Sequence, residues 1–167
     1  MKFKMKNKKD MTDKMVATAK SLNGARVHVG VLSGEHQWLA GIHEYGCIIP
    51  VTPAMRGYLH SIGVHLKRST TQIVIPERSF LRAGYDQNKD DVLDRADKLL
   101  PDVLLGTLSE DKFLEIVGTL LRDAIKEYAI DLSHPPKKPW PASDPSKNNP
   151  LIQTGAMVGG IEYEVEK

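Results

Sequence analysis

A single cysteine, Cys47, stands in 167 residues. No disulfide can close within the chain, and no paired-thiol motif can hold zinc, which points to a reducing compartment. No apolar run approaches the roughly 20 residues that span a bilayer. The N-terminus is basic but no apolar stretch follows it, so no secretory leader is expected. Charge of one sign is also missing. Lys and Arg number 23 against 21 Asp and Glu, for a net charge of +2. That near-balance argues against a domain built as a whole around nucleic acid. A protein that is cytoplasmic and soluble when made is the expectation.

Catalytic signatures are lacking too. There is no Walker loop, no GxGxxG, no GxSxG elbow around Ser33 or Ser79, and no HExxH. His28, His36, His43, His60 and His65 show no metal-ligand spacing, and the last two are expected on strands, facing opposite ways. His43-Glu44 could do acid–base work, but neighbours on a helix point about 100° apart. The simpler reading is a helix end that packs and hydrogen-bonds. Cys47 reads as a small buried hydrophobe. Neither an enzyme nor a metal or other cofactor is expected.

Apolar residues make up 41% of the chain, enough for one core. Residues 1–10 read as a flexible basic arm, with Lys2, Lys4, Lys6, Lys8 and Lys9 in a block that usually stays solvated. Such an arm could also neutralise phosphates non-specifically. Residues 11–167 read as one domain. Helical spacing of Met11, Met15, Ala19 and Leu22 predicts a helix over 11–22, capped by Asp10 or Thr12 and stopped by Asn23-Gly24. Val27, Val29 and Val31 alternate as a strand with one buried face. A short helix over 35–45, closed by Gly46, would place Trp38, Ile42 and Tyr45 on one side. Pro50 and Pro53 predict a loop. Residues 57–75 read as a β-hairpin ending at Pro76, which cannot donate to a ladder.

Val92, Ala96, Leu99 and Val103 then mark a helix, with a kink or break expected at Pro101. Ser109 caps another. Its apolar stripe is Phe113, Val117, Leu120, Leu121, Ala124 and Tyr128, and it should end near Asp131. The Pro-rich loop at 134–150 has no apolar period, and loops of that length are usually functional or disordered. The residues of 134–149 are expected to be mobile in the isolated protein and to contact partners. Trp140, inside that loop, either folds back on the domain or anchors a partner. Ile161, Tyr163 and Val165 alternate with glutamates in a last strand, and GAMVGG leads directly into it. The fold class is α+β: a small, mostly antiparallel β-sheet packed against three to four α-helices.

Three segments carry a resemblance. AGIHEYG ends a short helix and contains His43, Glu44, Tyr45 and Gly46. IPERSFLR contains Ile75, Pro76, Phe80 and Leu81. PLIQTG contains Ile152, Thr154 and Gly155 and precedes the terminal strand. In order and spacing the set resembles the tail-completion, head–tail joining or virion-morphogenesis proteins of long-tailed double-stranded-DNA phages, over residues 25–166. Two departures stand out. MVGG replaces a more polar stretch after Thr-Gly, and the preceding loop is richer in proline. The resemblance implies a structural protein of the virion neck, made in the bacterial host cytoplasm, that contacts connector and tail proteins. A homo-oligomeric ring, with six copies as the family's location suggests, is also implied. Ile75, Phe80, Leu81 and Ile152 read as core or hinge residues. Arg78, Arg82, Lys137, Lys138, Trp140, Pro150 and Leu151 read as partner contacts, with the two arginines meeting carboxylates of a neighbour. Nucleic-acid binding through the lysine arm is the alternative, and no membrane partner is expected.

Overall fold

The computed structural model describes residues 8–32, 34–137, 149–152 and 154–167. Among them the chain is α+β, with six helices and four strands in two separate antiparallel pairs. The elements are α1 (Lys8–Gly24), β1 (Arg26–Gly30), α2 (His36–Tyr45), β2 (Cys47–Pro50), α3 (Pro53–Ser61), β3 (Gln72–Ile75), α4 (Leu81–Leu105), α5 (Glu110–Asp131), α6 (Ala156–Gly159) and β4 (Glu162–Glu166). The expected single sheet is instead two ribbons, and two further short helices, α3 and α6, join the expected set. Helix α1 begins at Lys8, upstream of both expected caps, Asp10 and Thr12, and residues 1–7 of the basic arm lie outside the described residues.

Helices α4 and α5 form the spine and pack along each other. Gly106 turns the chain between them with φ 77°, and the amides of Gly106 and Thr107 donate to Val103 O and Asp102 O. That left-handed turn satisfies carbonyls that the helix end would leave bare. Ser109 caps α5 as expected, its hydroxyl accepting from Lys112 N at 3.3 Å. Helix α4 is unbroken through Pro101, which lies on the exposed side near the helix end. Val92, Ala96 and Val103 are buried on the helix's other face, and that packing offsets the single hydrogen bond proline removes.

The most buried positions of α5 are Leu114, Gly118, Ile125 and Ala129, a stripe rotated from the expected one. Gly118 explains the rotation. A Cβ there would sit 2.8 Å from Cγ of Tyr163, so the ring of β4 lies directly on the helix. Strand β4 pairs with β1, Val27 opposite Val165 and Val29 opposite Tyr163, and this ribbon packs on α5. The core gathers Val31, Ala40, Phe80, Ile125, Leu151, Met157 and Ile161. Phe80 and Ile161 are fully buried. Burying such side chains stabilises by about 1.5–3 kcal/mol each.

The largest departure is at 47–75. Strand β3 pairs with β2, Cys47 opposite Ile75 and Ile49 opposite Ile73, and the expected first hairpin strand is partly helix. Thr52 caps α3, accepting from Met55 N at 3.2 Å, with Pro53 in the first turn. Proline's fixed φ suits that position, so Pro53 starts a helix instead of making a loop. Ile62, Val64 and Leu66 then lie in a turn and coil held by Arg56, whose guanidinium donates to Leu66 O, Lys67 O and Thr70 O.

Candidate functional site

Among the described residues the most connected polar group is Glu44, 3% exposed near the end of α2. Helix α4 has no side-chain cap of its own. Glu44 supplies one from 36 residues away. Its Oε2 accepts from Phe80 N and Leu81 N, both at 2.9 Å. Its Oε1 accepts from Arg82 N at 3.1 Å, Ser79 Oγ at 2.8 Å and Arg82 Nε at 2.9 Å. A carboxylate there satisfies amides that the first turn leaves unpaired and sits at the positive end of the helix dipole. Burial alone would push the Glu44 carboxyl up. The bonds from Leu81, Arg82 and Ser79 outweigh burial and hold it below its ordinary value.

Around that carboxylate the first two motifs lock together. Arg78 N donates to His43 O at 2.7 Å. Arg82 Nη2 donates to Glu44 O and to Glu77 Oε1, and its guanidinium lies 4.7 Å from the Tyr45 ring centroid. The bonds to Glu44 lead in raising the Arg82 pKa, against a smaller opposing effect of burial. Gly46 has φ 73°, and a Cβ there would lie 2.9 Å from Glu77 N and 3.0 Å from Ile75 O. Only glycine permits that approach.

The third motif is built the same way. Asn149 Nδ2 donates to Ala129 O and Ile130 O at the end of α5, and its Oδ1 accepts from Leu151 N and Ile152 N. Ile152 O accepts from Lys137 Nζ at 2.7 Å. Thr154 Oγ1 accepts from Ala156 N, and Gly155 takes φ 81° before the short helix α6. GAMVGG therefore makes a helical turn before the strand.

Several residues expected at a partner surface are internal. Arg78 is 6% exposed; its Nε donates to Pro135 O and Nη2 to Pro136 O, with Nη1 3.4 Å from His43 Nδ1. Pro150 and Leu151 are buried. Arg82 meets carboxylates, but those of its own chain. Ile75 and Pro76 are half-buried at the end of β3, Leu81 and Ile152 pack against the core, and Phe80 sits inside it. Lys138, Trp140 and most of the Pro-rich loop lie outside the described residues, as do Lys2, Lys4 and Lys6. Trp38 and Tyr45, expected on one side of α2 with Ile42, are 66% and 68% exposed. Helix α2 buries Ala40 and Glu44 instead. Ser79 and Asn149 are the ties that sequence reasoning missed. Asn149 directly before Pro150-Leu151 is a turn signal that could have revealed one of them.

Burial, then the charges of Arg78 and Lys137, lower the His43 pKa. Burial and Arg78 likewise lower that of Lys137. His60 and His65 are not on opposite strand faces: one ends α3, the other lies in the following coil, and their Nδ1 atoms are 2.7 Å apart. Among the described residues no group of three or more His, Cys, Asp or Glu is arranged to hold a metal. Ser133 Oγ lies 3.0 Å from His134 Nδ1 in an open groove shared with Glu127 and Asp131. Both are solvent-exposed neighbours in sequence. No helix among the described residues is long and apolar enough to cross a membrane.

The other distinctive surface is the arm formed by β2, α3 and β3. Ile48 and Val74 are cross-strand partners, yet they are 63% and 46% exposed. Tyr58 and Ile62 are exposed as well. The arm's extensive packing is the β2–β3 pairing, and α3 makes no extensive contact with another element. No family model, characterised protein or solved structure matches the chain.

Proposed function

We propose that this chain is a structural virion protein of a tailed double-stranded-DNA phage or prophage. It acts in tail completion or head–tail joining at the neck and performs no catalysis. The supporting observation is the fit of the first two motif segments to each other and of the third to the end of α5. Gly46 is required by the backbone at Glu77, Glu44 by the amides of 80–82, and Asn149 by the end of α5 and the turn at 150–152. The geometry accounts for Glu44 and Gly46 of the first motif, and Asn149 anchors the third from just outside it. A projecting arm with exposed apolar side chains suits a protein whose work is contact. The protein accordingly belongs to the virion and passes through the host cytoplasm during assembly. Its partners are the connector and tail proteins on either side.

Deletion of the reading frame from its parent prophage, followed by induction and negative-stain electron microscopy, tests this reading. DNA-filled heads beside unattached or malformed tails are expected. Normal, infectious particles would overturn it.

A further inference from the structure

We infer that the β2–α3–β3 arm docks on the outer face of α4 of a second copy of this chain. The inference rests on the assembly role proposed above and names the contact that serves it. The exposed Ile48–Val74 pair lies on a two-stranded ribbon, and such a ribbon is marginally stable in water without cover. Exposed apolar side chains and open strand edges together mark a surface that a partner covers.

Charge identifies the partner. No acidic residue stands between Glu44 and Glu77, while Arg56, Lys67 and Arg68 fall in that stretch. Arg56 is occupied in closing the arm's own loop. Lys67 and Arg68 are exposed and make no ion pair among the described residues. The complement lies on α4. Asp90, Asp94 and Asp97 are spaced to share one helix face, opposite the buried Val92 and Ala96. All three are exposed and without an ion pair among the described residues, unlike Asp86 and Asp91, which pair with Lys89 and Arg95. Leu93, 56% exposed, stands on the flank of that face. A cationic arm with exposed apolar side chains and an anionic face with an apolar residue therefore occur on one molecule.

The arm makes no extensive contact with α4 or α5 of its own chain. Docking on a second copy is head-to-tail, because the two surfaces differ. Such a contact propagates from copy to copy and closes into a ring when the rotation allows. Lys67 and Arg68 steer the encounter, and the apolar residues hold it.

The test is sedimentation of the full chain across concentration and salt. The wild type is expected to self-associate, less so as salt rises. Lys67→Glu/Arg68→Glu and, separately, Asp90→Lys/Asp94→Lys should each weaken association by about tenfold or more. Circular dichroism melts confirm that both remain folded. An equimolar mixture of the two variants should associate again, because each arm then meets a face of opposite sign on the other variant. Ile48→Ser, which changes no charge, should weaken association without altering its salt dependence.

A wild type that stays monomeric throughout, or a mixture that fails to recover, overturns the inference. So does loss of duplex-DNA binding in the Lys67/Arg68 variant with self-association untouched, which would assign the arm to phosphates. The neck role fails separately. If deletion leaves infectious particles while the charge-swapped mixture associates, the contact stands and the function falls. Separated heads and tails with a monomeric chain mean the reverse.

Discussion

A buried carboxylate does at residue 44 what a local serine or aspartate does at most helix starts. Glu44 is tied to three backbone amides, a hydroxyl and a guanidinium. Hydrogen bonds to a charged group contribute about 1.5–3 kcal/mol each, and a stranded buried amide costs a similar amount. Glu44→Ala should therefore destabilise the chain by about 3–5 kcal/mol, read by urea unfolding. Glu44→Gln keeps the shape and should cost less; equal stability of all three proteins would refute the capping role. Acid should act in two stages. His43 has a folded pKa below its ordinary 6.5, so the fold favours its neutral form. The stability this gives is complete above about pH 6.5 and declines as pH falls from there through the lowered folded value. Glu44 is lowered from 4.5, so its contribution is complete above that value and is lost at still lower pH. His43→Gln should flatten the first stage of a melting-temperature profile against pH, and Glu44→Gln the second. A profile unchanged by either substitution would count against both assignments. At this scale the sequence was only half legible. Gly46 and Phe80 stood out in their motifs, but Arg78, Pro150 and Leu151 read as surface residues and are internal. Nothing in a sequence tells an arginine that meets a neighbour's carboxylate from one that donates to Pro135 and Pro136 of its own chain.

The elements followed their local chemistry where neighbours in sequence decide it. Ser109 capped α5, Gly46 closed α2, and the alternation at 161–165 made a strand. Prediction failed where two signals competed. Ile62, Val64 and Leu66 alternate as a strand does, but Thr52-Pro53 starts a helix whose turns absorb the residues as far as Ser61. The partner of β3 is consequently β2, across α3 and its coil. Which face of α2 is buried was not legible either. Trp38 and Tyr45 look like core by residue type, while the helix buries a glutamate because that glutamate caps another helix. Asn149 is the strongest test at this scale. It joins the end of α5 to the turn at 150–152, so Asn149→Ala removes bonds on both sides at once. A loss of about 1–3 kcal/mol is expected, with hydrogen exchange rising first at Leu151 and Ile152. Unchanged exchange at those amides would show that apolar burial of Leu151 alone holds the turn.

In the whole molecule, a body and an arm meet at a narrow root. The body is α4 and α5 with the β1–β4 ribbon, and its core draws on residues from Val31 to Ile161. The arm leaves at Cys47 and returns at Ile75, directly opposite each other in register. Replacing residues 50–72 by an Asn-Gly turn keeps the Ile49–Ile73 pair and uses a two-residue connection suited to a hairpin. The shortened protein should unfold cooperatively, within about 1 kcal/mol of the full chain, because loop length changes stability only slowly. A large loss, or a second unfolding transition, would mean that the arm supports the body after all. The closure of the root has a further consequence for how such a protein can change over time. Glu44, Gly46 and Arg82 fix where the two ends of the arm stand, and every one of them lies outside it. Substitutions, insertions or wholesale exchange between Ile48 and Val74 leave that anchorage untouched. The arm can therefore drift toward a new partner while the frame that presents it is inherited unchanged.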